Sequence, residues 1–242
     1  MKKRRFLWEM HFHTRETSPC GSVGAGEGIE RYYRSGYDGV VVTDHLRPDI
    51  LDEYPGTVYD KANAWLRGYR TGKRKGDEVG FPVLLGAEIR LGVEGIWGDY
   101  LLYGFEETDV PEIMPLLAMS PCEVSKTVRA RDWFMAQAHP FRDEMLRGNP
   151  MDLDGIEIYN GNVRQISRNE CAEAYAQTHG LLGIGGSDFH ELVDSGVSGT
   201  FFTRELTSSA GLAAALRERA VDGVLRAEVR VGSGERAKNE AL

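Results

Sequence analysis

The chain has 242 residues, 41% of them hydrophobic and 27% charged, which suits one large α/β core and excludes a disordered, collagen-like or coiled-coil chain. A formal charge of −8 lacks the basic excess that duplex nucleic acid requires, and Cys20, Cys122 and Cys171 are too few and too scattered for a disulfide framework or a CxxC zinc module. No apolar run approaches the ~20 residues of a membrane span, and MKKRR leads into FLWEMHFH rather than an apolar signal core, so a cytoplasmic chain without membrane contact is expected.

Short β-rich runs alternate with helical patterns. RFLWEMHFH (5–13) precedes helical GEGIERYYRSG, and DGVVVTDH (38–45) precedes TVYDKANAWLRGYRTGK. PVLLGAEIR (82–90) and DYLLYGF (99–105) come before VPEIMPLLA and CEVSKTVRARD; WFMAQAHP (133–140) and DGIEIYN (154–160) come before VRQISRNECAEAYAQTHG. LLGIGGSDFH (181–190) is the seventh run. GTFFTRE then reads as an eighth strand or an edge, and SSAGLAAALRER as a capped amphipathic helix. The alternation predicts parallel strands with helical crossovers. One domain over residues 1–230 and a flexible tail over 231–242 are expected.

Polar residues recur at the ends of nearly all these runs, which favours a closed barrel over an open sheet, because a barrel gathers its C-terminal strand ends at one mouth. His11 and His13 close the first run; on an extended strand they share a face about 6.6 Å apart. His45, Glu88 and His139 end the second, third and fifth, and Asp188 with His190 ends the seventh at the same two-residue spacing. One such histidine is ordinarily a hydrogen-bonded rim residue. Their coincidence points to metal, since burying so many ionisable groups without a cation is costly. Seven groups exceed one coordination shell, so at least two ions follow, with Glu88 as a bridge; Zn, Mn and Fe all suit imidazole with carboxylate.

The motifs HFHT, VVVTDH, GAE, AHP and GGSDFH together resemble the PHP superfamily of polymerase and histidinol phosphatase domains, in order from about residue 6 to residue 200. The resemblance implies a distorted seven-stranded (β/α)7 barrel, two or three divalent ions, and hydrolysis of phosphoesters. It implies one ion on His11, His13, Glu88 and Asp188; a second on Glu88, His139 and a group from the fourth strand; and a third on His45, His190 and a group from the loop after HFHT. Two positions depart from the histidine-rich pattern. Asp99 in GDYLLYG stands in for the fourth-strand histidine and Cys20 in ETSPCGS for the loop ligand; each also reads as a rim charge or a plain loop thiol.

The expected reaction is phosphatase action on a small phosphorylated metabolite, with a metal-bridging hydroxide attacking phosphorus in line. Asp188 would orient that hydroxide or shuttle a proton, and His190 or His45 would protonate the leaving alcohol. Arg142, three residues past His139, is the first candidate for gripping phosphate, ahead of Arg15, Arg47 and Arg90. Asn160 and Asn162 read as turn residues or substrate contacts. Asp44 reads as orienting a neighbour, His179 as a helix C-terminal residue, Trp65, Tyr69, Trp133 and Phe134 as core, and Cys122 and Cys171 as small apolar fillers. A nuclease or nucleotide phosphodiesterase, an inactive metal-binding regulatory module, and amide hydrolysis are the other readings.

Overall fold

The computed structural model describes residues 4–93 and 96–227; the tail expected at 231–242 lies outside them. Among the described residues ten strands form one sheet: β1 (Phe6–Phe12), β2 (Gly39–Val42), β3 (His45–Leu46), β4 (Val83–Val93), β5 (Ile96–Tyr103), β6 (Phe134–Gln137), β7 (Gly155–Asn160), β8 (Leu182–Gly186), β9 (Ser198–Phe202) and β10 (Val221–Arg226). Their order is β10-β9-β1-β2-β4-β5-β6-β7-β8, with β3 beside β4. Past β8 the chain curls back onto β1. Phe189 donates its amide to the His11 carbonyl (3.0 Å) and its carbonyl accepts the His13 amide (3.1 Å). The expected distorted barrel is therefore present, nearly closed, with ten strands rather than seven. The second run breaks into β2 and β3, GTFFTRE supplies β9, and β10 lies in VDGVLR, where Gly223 at φ +101° interrupts the alternation.

Parallel pairing holds for β1/β2, β2/β4, β6/β7 and β7/β8. The all-parallel expectation fails at β5, which runs antiparallel to both β4 and β6. The reason is chain length: β4 continues to Val93 and β5 begins at Ile96, whereas a parallel return needs a dozen or more residues. β9 is likewise antiparallel to β1 and β10. Because β5 runs down from the mouth, its beginning rather than its end lies level with the other strands' C-termini.

Strand alternation divides the core in two. Phe12, Val40, Val42, Val83 and Leu85 pack outward in one cluster with α1 (Ala25–Arg34), α2 (Pro48–Asp52), α3 (Val58–Trp65) and α4 (Arg67–Val79). Val41, Leu84, Leu101, Phe134, Ala136 and Ile184 fill the interior, together with Leu212 and Leu216 of a further helix, Ser209–Arg217, across the end opposite the mouth. Ser208 caps that helix by accepting from the Gly211 amide, as SSAGLAAALRER suggests. Trp65, Tyr69, Trp133 and Phe134 are buried as expected; Cys122 and Cys171 are exposed and are not fillers. Among the described residues no helix is long and apolar enough to cross a membrane.

Candidate metal centre

The first two site residues owe their aim to a bulge. Glu9 faces Val40 and Phe12 faces Val42, so β1 covers three steps against two on β2. Such an irregularity re-aims the side chains beyond it. Met10 packs into the interior cluster, while His11 and His13 turn toward the centre of the mouth. Gly186 of β8 makes this approach feasible: a Cβ there would lie 2.5 Å from the His11 Cβ.

His139 and Asp188 arrive from just past strand ends as expected, by unusual backbone, whereas Glu88 lies inside β4 and His45 opens β3. Glu88 lies on β4 and His45 pairs with it in register. His139, past β6, and Asp188, past β8, have φ of +26° and +51°. Left-handed backbone costs a non-glycine residue of order 1–3 kcal/mol and concentrates where a side chain must point in one direction. The Asp188–His190 spacing thus delivers both residues to the site through a turn rather than along an extended strand.

The donors converge closely. His11 Nε2 lies 3.4 Å from both Glu88 Oε2 and Asp188 Oδ1; His13 Nε2 lies 3.2 and 3.3 Å from the same two atoms. Both imidazole nitrogens are fully buried and, though near these carboxylates, are not aligned to hydrogen-bond with them. Donors on a tetrahedral shell of radius about 2.1 Å stand about 3.4 Å apart, so this spacing fits ligands around one ion better than it fits hydrogen bonds. Glu88 Oε1 is 3.0 Å from His139 Nε2 and Oε2 is 2.8 Å from His45 Nδ1. Three donor groups result, each with one ligand atom per residue and all such atoms within 4.8 Å: His11, His13 and Asp188; His11, Glu88 and His139; and His13, Cys20, His45 and His190.

Electrostatics point the same way. Burial alone pulls His11 down, but Asp188, Glu157 and Glu88 overcome it and hold its pKa well above the ordinary value. His13 is likewise raised to about 9, burial being outweighed by Asp188 and Glu88. Burial would raise Glu88 and Asp188, yet histidine neighbours hold both well below the carboxylate range. Burial and His13 push His190 down to about 4, while burial and the two carboxylates push the Cys20 thiol up to about 12. A divalent cation would replace these shared protons and favour imidazole nitrogen, carboxylate and thiolate as donors.

Asp99 stands apart from these groups. Its carboxylate takes a two-pronged ion pair from Arg90 (2.7 and 2.8 Å), and Arg90 also lies over the Trp97 ring. Arg142 pairs with neither of its acidic neighbours; Nη2 donates to Asp188 Oδ2 (2.6 Å) and Asn160 Oδ1 (2.8 Å), and Nε to Ser167 Oγ (3.3 Å). Asn162 donates to the Asp188 carbonyl (3.3 Å), so both asparagines of YNGN serve the site. Asp44 is buried outside the donor groups, where it accepts from the Thr14 amide and hydroxyl and from Ser18 Oγ. Arg47 pairs with Asp49.

Two buried carboxylates went unread in the sequence. Glu157 accepts from His11 Nδ1 (3.0 Å), the His139 amide (2.9 Å) and Asn160 Nδ2 (2.9 Å). Through the first of these bonds it fixes the His11 tautomer that turns the Nε2 lone pair to the centre. Glu9 accepts the His11 and Ser187 amides on Oε1, and burial raises its pKa to about 7. The available signal was a single charge within an otherwise apolar strand, in FLWEM and GIEIY.

Fold and site together define an α/β barrel with a buried histidine–carboxylate mouth. The family model for PHP-associated sequences matches residues 167–221, the stretch that holds GGSDFH, in agreement with the PHP resemblance there, and solved structures described as metal-dependent phosphoesterases, one of them PHP-like, share the fold. A candidate metal-dependent phosphoesterase from Bifidobacterium adolescentis aligns with a TM-score of 0.55 at 19% identity, over 89% of this chain and 96% of that one. A two-domain protein from Bacteroides vulgatus, containing a predicted PHP-like metal-dependent phosphoesterase, aligns at 0.64 and 18% identity, over 90% of this chain and 64% of that one. A lesion-specific endonuclease from Pyrococcus furiosus aligns at 0.62 and 13%, over 95% and 60%. No curated protein matches the sequence.

Proposed function

We propose that the chain is a metal-dependent hydrolase of phosphoesters, acting as a phosphatase on a small phosphorylated metabolite in the cytoplasm. The observation that carries this reading is the convergence of His11, His13, Glu88 and Asp188 at 3.2–3.4 Å, with both imidazole nitrogens buried and unpartnered. Two or three divalent ions held by the three donor groups, whether Zn, Mn or Fe, would lower the pKa of water toward neutrality and so supply the attacking oxygen.

The chain's own groups supply the rest. Arg142 is held by Asp188, Asn160 and Ser167 through Nε and Nη2; among the described residues its Nη1 hydrogens have no protein partner and face the task of gripping a non-bridging phosphate oxygen. Asp188 both meets the histidines through Oδ1 and anchors Arg142 through Oδ2, which fixes the phosphate grip relative to the donors. His190 donates from Nδ1 to the Asp188 carbonyl (2.7 Å), which leaves Nε2 at the rim as a lone pair that, wherever it is not ligating, would first take a proton from water and then pass it to the departing alcohol.

Metal-stripped protein reloaded with Mn²⁺ or Zn²⁺ and offered a panel of phosphomonoesters should release phosphate. No turnover with any ion would overturn the reading. One observation favours the nuclease alternative: Arg67, Arg70, Lys73 and Arg74 of α4 line a groove of about 670 Å³ that also includes Glu16 of the loop after β1 and Glu107, the latter paired with Arg70 at 2.7 Å. Faster cleavage of short oligonucleotides than of any monoester would put that reading first.

A further inference from the structure

The three donor groups are not chemically alike. Two consist of imidazole nitrogens and carboxylate oxygens, all buried; the third, His13, Cys20, His45 and His190, contains sulfur and reaches solvent through Cys20, His45 and His190. Cys20 Sγ lies 3.1 Å from His190 Nε2, whose ring is oriented by the bond from Nδ1 to the Asp188 carbonyl.

The loop carrying Cys20 is fastened to both outer histidines. The Ser22 amide and hydroxyl each donate to the His190 carbonyl at 2.9 Å. Ser18 Oγ accepts the His45 amide at 3.0 Å and donates to Asp44 at 2.6 Å, and the Gly21 amide closes on the Ser18 carbonyl at 2.9 Å. At Gly21 a Cβ would stand 3.0 Å from the Thr14 carbonyl carbon, so the turn beside Cys20 is packed against backbone. These ties hold the thiol between two imidazoles instead of leaving it free on the surface.

We propose that the outer tetrad His13, Cys20, His45 and His190 is a thiolate site selective for a thiophilic ion of the zinc class, and that the inner oxygen-bearing donors take a harder ion, so the bound metals are not interchangeable. The inference rests on the reading that the mouth holds divalent ions. Its chemical basis is that a soft thiolate prefers Zn²⁺, Cd²⁺ or Co²⁺, whereas carboxylates accept Mn²⁺ readily. Where an outer and an inner ion compete for His13, Cys20, His45 and His190 remain as three ligands, a number that suits zinc with one open position.

The test loads full-length protein with Co²⁺ and compares it with Cys20→Ser and Cys20→His. The wild type should develop a near-ultraviolet sulfur-to-cobalt charge-transfer band saturating at a single ion per chain. Cys20→Ser should lose the band and bind Cd²⁺ at least about tenfold more weakly at the outer site while keeping its inner ion. Cys20→His should regain the outer ion without the band. Ions bound and phosphate released but no band in the wild type, or unchanged Cd²⁺ affinity in Cys20→Ser, would overturn this inference and leave the phosphoesterase reading standing. Failure of the wild type to bind any ion would overturn both.

Discussion

The inner and outer walls of the mouth are built differently. His11, Glu88 and Asp188 are buried, and each is braced by another side chain: buried Glu157 holds His11, half-buried Arg142 holds Asp188, and buried His139 meets Glu88. Cys20, His45 and His190 sit on a loop, a two-residue strand and the segment past Asp188, with side chains of His45 and His190 still 12% and 16% exposed. The difference teaches that a buried donor needs a second residue to fix its direction, whereas a rim donor can be placed by backbone ties alone.

The largest effect that would break this comparison is expected at His11. His11→Ala removes a donor common to two of the groups, and phosphate release should fall by about a thousandfold or more, with the fold verified by circular dichroism. Retained activity would show that the inner wall is not the working one.

Glu9 tests the surroundings of that wall. Its folded pKa of about 7 exceeds the ordinary 4.5, so the folded chain holds the proton more tightly; the stabilisation is full below pH 4.5 and is lost as pH rises through 7. In the metal-free protein at pH 8, Glu9→Gln should therefore raise stability in urea by up to about 3 kcal/mol, and at pH 4 it should give no gain. A gain equal at both pH values would contradict the assigned burial.

Glu157→Gln sharpens the role of bracing. It keeps the shape but loses the charge that sets the His11 tautomer, so inner-site metal affinity measured by calorimetry should fall ten- to a hundredfold, to about the extent seen for such partners elsewhere. The smallest effect is expected for Asp99→Asn. The bound-ion count, measured by elemental analysis, should not change, and stability should drop by about 1 kcal/mol through the weakened Arg90 pair. Loss of an ion would return Asp99 to the ligand set.

Much of the site was legible because strand ends in a barrel meet at one mouth. His11, His13, His139, Asp188 and His190 lie at or just past strand ends as that placement requires, His45 opens β3 and Glu88 lies inside β4, and the structure brings all seven together. Asp99 reads in the sequence as either a ligand or a rim charge, and only the antiparallel course of β5 sets it opposite Arg90 in register on β4. Glu157 and Glu9 were passed over because each lies inside a run rather than at its end, although a carboxylate between buried apolar neighbours was itself the clue.

Residue identity and spacing along the chain determined which donors exist and which strands carry them, because alternation and strand termination are local properties of the backbone. The bulge between Glu9 and Phe12, the left-handed turns at His139 and Asp188, the reversal at β5 and the ties that set Cys20 beside His190 were decided only in the tertiary structure. Each depends on contacts between segments distant in the chain. Hydrogen bonds such as Phe189 to His11 and Glu157 to His139 set the direction in which a side chain points, and no local pattern encodes them.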